Sequence, residues 1–159
     1  MRLPAFPDPV NEVSARLVAG GVVIMCLATI GLDLRWLTLA IAYGFVARVL
    51  AGPTFSPLGQ LVTRVVTPRL DVAPRLVPGP PKRFAQAVGV VFSVTALILA
   101  FGLDDRSTAY VVLGLLAVAA TLESVFGLCL GCKMFALLMR MGVIPQEVCE
   151  RCNDISARP

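Results

Sequence analysis

The chain has 159 residues, of which 57% are hydrophobic and only 15% charged, and its mean hydropathy is +0.84. Soluble chains are roughly 45–50% apolar and about 25% charged, so an ordinary water-soluble domain is excluded. Disordered, collagen-like and coiled-coil chains fail as well, because apolar residues dominate and no heptad persists.

Four apolar runs follow in chain order. After a polar, proline-rich opening, residues 17–32 carry no charge, and no small-residue cleavage site follows them. The run is expected to be an uncleaved anchor rather than a signal peptide. Residues 36–51 form the second run, with Arg48 near its end. Residues 84–103 are uncharged throughout, and residues 107–129 are interrupted only by Glu123. At ~1.5 Å per residue, a hydrocarbon core ~30 Å thick needs ~17–20 helical residues, which all four runs approach or exceed. Strict alternation is absent, so membrane strands are not expected.

Only Gly31-Leu32-Asp33-Leu34-Arg35 separates the first two runs, and Gly102-Leu103-Asp104-Asp105-Arg106 the last two, so the expected bundle is two helical hairpins. Ser56 as N-cap and Pro57 in the first turn start a short amphipathic helix at 57–67, with Leu58, Leu61, Val62 and Val65 on one side. A second one is expected at 133–142, where Met134, Leu137, Leu138 and Met141 oppose Lys133 and Arg140. The fold class is therefore all-α: an integral membrane four-helix bundle of two hairpins, each followed by a short interfacial amphipathic helix. Residues 1–142 make the membrane domain and 143–159 a cysteine-containing tail. The two halves read as a weak parallel duplication about the membrane normal, or as similar compositions selected by similar jobs. Ala85, Gly89 and Ser93, and likewise Ala40 and Gly44, are spaced as helix-packing faces.

Twelve of the fourteen basic residues fall on one side of the expected bundle, against Arg35 and Arg106 on the other. The positive-inside rule makes both termini and the central segment cytoplasmic. Topology and anionic lipid account for the +4 net charge. Nucleic acid is not an expected partner, because no aromatic-studded basic motif occurs.

Chemistry concentrates in five cysteines. Cys26 is mid-span and reads as a small apolar filler. Cys129-Leu130-Gly131-Cys132 and Cys149-Glu150-Arg151-Cys152 are two C-x-x-C pairs with sixteen residues between them. That spacing fits a four-thiolate zinc site, since two residues between cysteines let both sulfurs face one metal; iron suits it too. Each pair also suits redox work or sulfur transfer, with Lys133 and Arg151 as neighbouring cations that lower a thiol pKa. A c-type haem is excluded, because Lys133 and Asn153 stand where histidine is required.

Glu123 within the fourth run is a candidate for a proton or cation path. The favoured reading is a buried ion pair with Arg48 that locks the hairpins together. The chain has no histidine, which removes His-based triads and zinc-hydrolase sites, and no phosphate-cradling G-x-x-x-x-G-K-[ST]. Asp104 and Asp105 read as turn residues.

Gly52-Pro53-Thr54-Phe55-Ser56-Pro57-Leu58-Gly59 through Pro68-Arg69-Leu70, Pro81-Lys82-Arg83-Phe84-Ala85-Gln86 and Phe126-Gly127-Leu128-Cys129-Leu130-Gly131-Cys132 resemble a bacterial membrane family. The family is catalogued as a domain of unknown function, number four-three-nine-five. The resemblance covers about residues 10–140, and Phe-Gly-x-Cys-x-Gly-Cys is its most specific element. It implies a four-span protein of the bacterial inner membrane with a C-x-x-C ending the last span, in the company of thioredoxin-like and sulfurtransferase proteins. The expected function is thiol–disulfide exchange or sulfur handling through Cys129, Cys132, Cys149 and Cys152 with a thioredoxin-like partner, and a lipid-soluble electron carrier approaching through the apolar surface. The alternative is a structural or assembly subunit of a larger membrane complex, whose four cysteines bind one zinc or iron and clip the tail to the last span. A third reading is a small channel or carrier using Glu123.

Overall fold

The computed structural model describes residues 10–77 and 79–145. Helix α1 spans Glu12–Gly31 and α2 spans Leu37–Ala51. After a 3-10 turn at Gly52–Thr54, α3 (Pro57–Leu61) runs through a π-helical turn (Val62–Val66) into the single turn α4 (Thr67–Arg69). Helix α5 covers Gly79–Leu97 and continues as a π-helical turn over Ile98–Gly102; α6 is Arg106–Phe126 and α7 is Leu130–Arg140. A two-residue antiparallel ladder joins β1 (Val10–Asn11) to β2 (Leu76–Val77) at the feet of α1 and α5. Among the described residues four helices are long and apolar enough to cross a membrane.

The architecture is the expected all-α four-helix bundle, and its outer face fits a lipid bilayer. Ile24, Val91 and Val118 are 70%, 64% and 60% exposed, although each sits mid-helix in an apolar run. The inward side is mostly small: Ala19, Val22, Cys26, Ala96, Ala117 and Ala120 pack around Ile41, Phe45 and Leu113. Without a hydrophobic drive between helices in lipid, close backbone approach is what holds such a bundle. Cys26 is fully buried in this core. Ala85, Gly89 and Ser93 do lie on a packing face: a Cβ on Gly89 would sit 2.2 Å from the Phe45 ring. Ala40 does not, for it is exposed, and α2 faces inward through Ile41, Phe45 and Arg48.

Helix α1 packs chiefly on α6, and α2 chiefly on α5. Both interfaces therefore cross between hairpins, and exchanging the hairpins maps one onto the other. The turns repeat this relation at atomic detail. Asp33 and Asp104 occupy the same place in their turns and both have φ 52°, a left-handed conformation that Asp tolerates. Each then pairs with the arginine of the other turn, Arg106 Nη1 to Asp33 Oδ2 at 2.7 Å and Arg35 Nη1 to Asp104 Oδ1 at 3.5 Å. Reciprocal pairing of this kind is the mark of an approximate two-fold, and it supports a parallel internal repeat.

Helices α1 and α7 begin earlier than expected, at Glu12 and Leu130, and two further boundaries shape the site. Helix α5 begins at Gly79 rather than 84, because Pro80 and Pro81 sit in its first turn, where missing N–H groups cost nothing. Lys82 is thereby helical and buried rather than part of a loop. Helix α6 ends at Phe126 rather than 129: Gly127 adopts φ 69°, and its N–H returns to the Glu123 carbonyl. Arg16 closes this end, with Nε and Nη2 donating to the Ser124 and Val125 carbonyls at 3.1 and 2.9 Å.

The Tyr110 hydroxyl donates to the Asp33 carboxylate, and Arg106 and Arg35 add positive charge, so Asp33 titrates below the usual aspartate value. A carboxylate with a depressed folded pKa stabilises the fold above its unfolded value and loses that contribution as pH falls through the folded one. The Tm in detergent is expected to drop on acidification below the ordinary aspartate range, about pH 3.9. Asp33→Asn should flatten that limb, as measured by a fluorescence melt across pH.

A dithiol at a helix N-terminus beside buried charges

Only Gly127, Leu128 and Cys129 separate α6 from α7, and Cys129 is the N-cap of α7. Its Sγ accepts the Cys132 N–H at 3.4 Å, the bond an N-cap serine oxygen makes in water-soluble helices. Gly131 decides where α7 lies: a Cβ there would fall 2.5 Å from both the Cα and Cβ of Ala85, so no side chain fits. One turn on, Phe135 is buried with its ring 5.7 Å from that of Phe84. Phe84, Ala85, Gly131 and Phe135 thus press the start of α7 against the start of α5. The stripe Met134, Leu137 and Met141 faces away from the protein, each exposed, on a helix that begins three residues earlier than expected.

Lys82 Nζ meets Glu123 Oε1 at 2.6 Å, with side chains 9% and 16% exposed. This corrects the expected partner of Glu123. Arg48 is 5% exposed, donating from Nε to Gln86 Oε1 at 3.0 Å and from Nη1 to Ser56 Oγ at 3.2 Å, with its guanidinium 4.6 Å from the Phe45 ring centre. It lies close enough to feel the Glu123 charge but forms no ion pair with it. The physical reason is the early start of α5, which carries Lys82 across to α6 and leaves Arg48 to Gln86 one turn further on. Lys82 and Gln86 stand in a stretch that carries the family resemblance, but the sequence reading gives neither of them a role in the site. The signal was there: Lys82, Gln86, Gly89 and Ser93 share one helical face, and the packing stripe at Ala85, Gly89 and Ser93 extends back to it.

Lys82 and Glu123 both act electrostatically on the two thiols. Cys129 is held below the usual thiol value by the hydrogen bond from the Cys132 thiol, assisted by Lys82 and the Cys132 N–H, against burial and the Glu123 charge. Cys132 is pushed up, because it donates that hydrogen bond, is largely buried, and stands beside the Cys129 charge. The two shifts run in opposite directions, favouring the thiolate at Cys129 and the retained proton at Cys132. Both are free thiols.

Cys149 and Cys152, the second pair of the expected four-thiolate set, lie outside the described residues. Among the described residues no three His, Cys, Asp or Glu side chains converge as metal ligands.

The fold and site define a four-span α-helical protein with an N-capping dithiol at one end of its bundle. The chain matches the family described as Domain of unknown function (DUF4395) over residues 10–140 and belongs to it. No curated protein and no solved structure matches.

Lys82→Met leaves Glu123 buried without its partner and is expected to cost about 3–5 kcal/mol. Adding Glu123→Leu should recover most of that loss, as read from denaturant unfolding in mixed micelles. Gly131→Val should lift α7 off Ala85 and speed alkylation of both thiols, measured by mass spectrometry.

Proposed function

We propose that the Cys129–Cys132 dithiol performs thiol–disulfide exchange with a thioredoxin-like partner at the cytoplasmic face of a bacterial inner membrane. The observation that carries the reading is the charge balance around Cys129. Arg48 and Lys82 are both buried cations; Glu123 pairs with Lys82, and among the described residues no carboxylate forms an ion pair with Arg48. A charge buried without a counterpart is costly, and a Cys129 thiolate at the N-cap of α7 supplies the missing negative charge. The helix N-terminus adds its own partial positive charge.

In this mechanism the Cys129 thiolate attacks a partner disulfide, forming a mixed disulfide and releasing one partner thiolate. Cys132 passes its proton to the released partner thiolate and attacks the Cys129 sulfur, which frees the second partner sulfur as a thiolate. Two electrons and the one proton held by Cys132 pass from the pair to the partner, and a proton from solvent completes the second partner thiol; the reverse sequence oxidises a partner dithiol. The tail pair Cys149 and Cys152 serves as a second dithiol for relay. Basic residues gather where α1, α5 and the central segment begin and α2 and α6 end, which supports the cytoplasmic assignment of that face and of both termini.

Oxidised thioredoxin serves as the probe. Cys132→Ser is expected to accumulate a mixed disulfide at Cys129, and Cys129→Ser to lose exchange. Retention of full exchange by Cys129→Ser would sink the reading, as would one metal ion per chain with all four paired thiols protected. Alkylation of Cys129 should reach half its maximal rate below the ordinary thiol value of about pH 8.5. Lys82→Met should move that midpoint upward, because it removes the nearby cation.

A further inference from the structure

Resting on that reading, we infer that the cavity behind Cys129 is a binding site for a lipid-soluble quinone, the oxidant of the dithiol. The cavity has a volume of about 360 Å³ and lies among α1, α2, α5, α6 and α7 with Cys129 on its wall. That size falls within the ~300–1,000 Å³ of small-molecule sites, which are mostly apolar with a few convergent polar groups. Phe45 and Phe92 line it, suited to a flat ring. Leu115 and Val118 also line it and are 57% and 60% exposed on the outer face of α6. The cavity therefore opens sideways toward lipid, the phase in which an isoprenoid quinone is dissolved.

Its polar groups match a quinone carbonyl. Arg48 spends Nε and Nη1 on Gln86 and Ser56, and no hydrogen bond among the described residues takes up its Nη2. Gln86 accepts from Arg48 through Oε1, which leaves its amide N–H groups as donors. Both residues border the cavity. Donors without acceptors beside an apolar slot fit a ligand that brings carbonyl oxygens and no charge.

The chemistry balances. The Cys129 thiolate adds to an electrophilic ring carbon, a C–S bond forms, and the electron pair moves onto a carbonyl oxygen, where Arg48 and Gln86 meet the new negative charge. Cys132 passes its proton to that oxygen and attacks the Cys129 sulfur. The S–S bond forms, the C–S bond breaks with its electron pair returning to the ring, and one proton from solvent completes the hydroquinone. Thiolate, thiol, quinone and one proton give disulfide and hydroquinone, a two-electron transfer.

The test uses the reduced full chain in lipid nanodiscs, without oxygen, with decyl-ubiquinone as the probe. One hydroquinone is expected per Cys129–Cys132 disulfide mapped by mass spectrometry, and none with Cys129→Ser. Ala119→Phe, which fills the cavity, and Val118→Trp, at its mouth, should each lower the rate at subsaturating quinone about tenfold or more, while Ala119→Ser keeps it. Wild-type rates in both bulky variants, each checked by a thermal melt, would overturn the site. A wild-type dithiol that ignores the quinone but exchanges with oxidised thioredoxin would overturn this inference and leave the exchange reading standing. A dithiol inert to both oxidants would end both.

Discussion

The contact on which the rest of the site depends is the meeting of Gly131 with Ala85. It brings the first turn of α7 against the first turns of α5, a distance no side chain at 131 permits. The buried charges at that end of the bundle are arranged around that approach. Lys82, one turn before Ala85, reaches Glu123 on α6, and Gln86, one residue after it, holds Arg48 from α2. A residue larger than glycine at 131 would separate the thiols from the cation that acts on them.

The approximate two-fold gives the arrangement a second meaning. Each hairpin is followed by a surface helix with a buried N-cap, Ser56 in the first half and Cys129 in the second. Both N-cap side chains accept the N–H three residues on, from Gly59 and from Cys132. Each also has a buried cation for company, Arg48 donating to Ser56 and Lys82 acting on Cys129. One half thus keeps an inert hydroxyl where the other places a thiol. The same backbone device, a capped helix start over a buried positive charge, is structural in one copy and equipped for chemistry in the other.

Three stretches that carried the family resemblance converge in space. In Phe126–Cys132, Gly127 ends α6, Cys129 caps α7, Gly131 permits the close approach and Cys132 donates back to Cys129. In Pro81–Gln86, Pro81 belongs to the first turn of α5, Lys82 pairs with Glu123, Phe84 meets Phe135 and Gln86 binds Arg48. Gly52–Gly59 contributes Ser56 to Arg48 and Leu58, which packs on Gly21 of α1. The motif is thereby explained as a packing and charge unit built from both hairpins.

The four spans, the two tight turns and the C-x-x-C pair were legible in the sequence because each is a local property: apolar run length, Gly-Leu-Asp punctuation and cysteine spacing. Lipid as the surrounding solvent makes these signals strong, since any charge within a span is conspicuous. The partner of Glu123 was not legible. Depth along the chain pointed to Arg48, but the choice between Arg48 and Lys82 depends on where α5 begins and how it is rotated against α6. Likewise, four-residue spacing marked Ala40 as a packing residue, whereas α2 turns Phe45 toward Gly89 and leaves Ala40 outside. The sequence by itself determined which segments are helical and which residues could do chemistry. Tertiary structure decided which of them meet, because contacts between helices are set by backbone approach across the bundle, and spacing along one chain marks a packing face without naming the helix it meets.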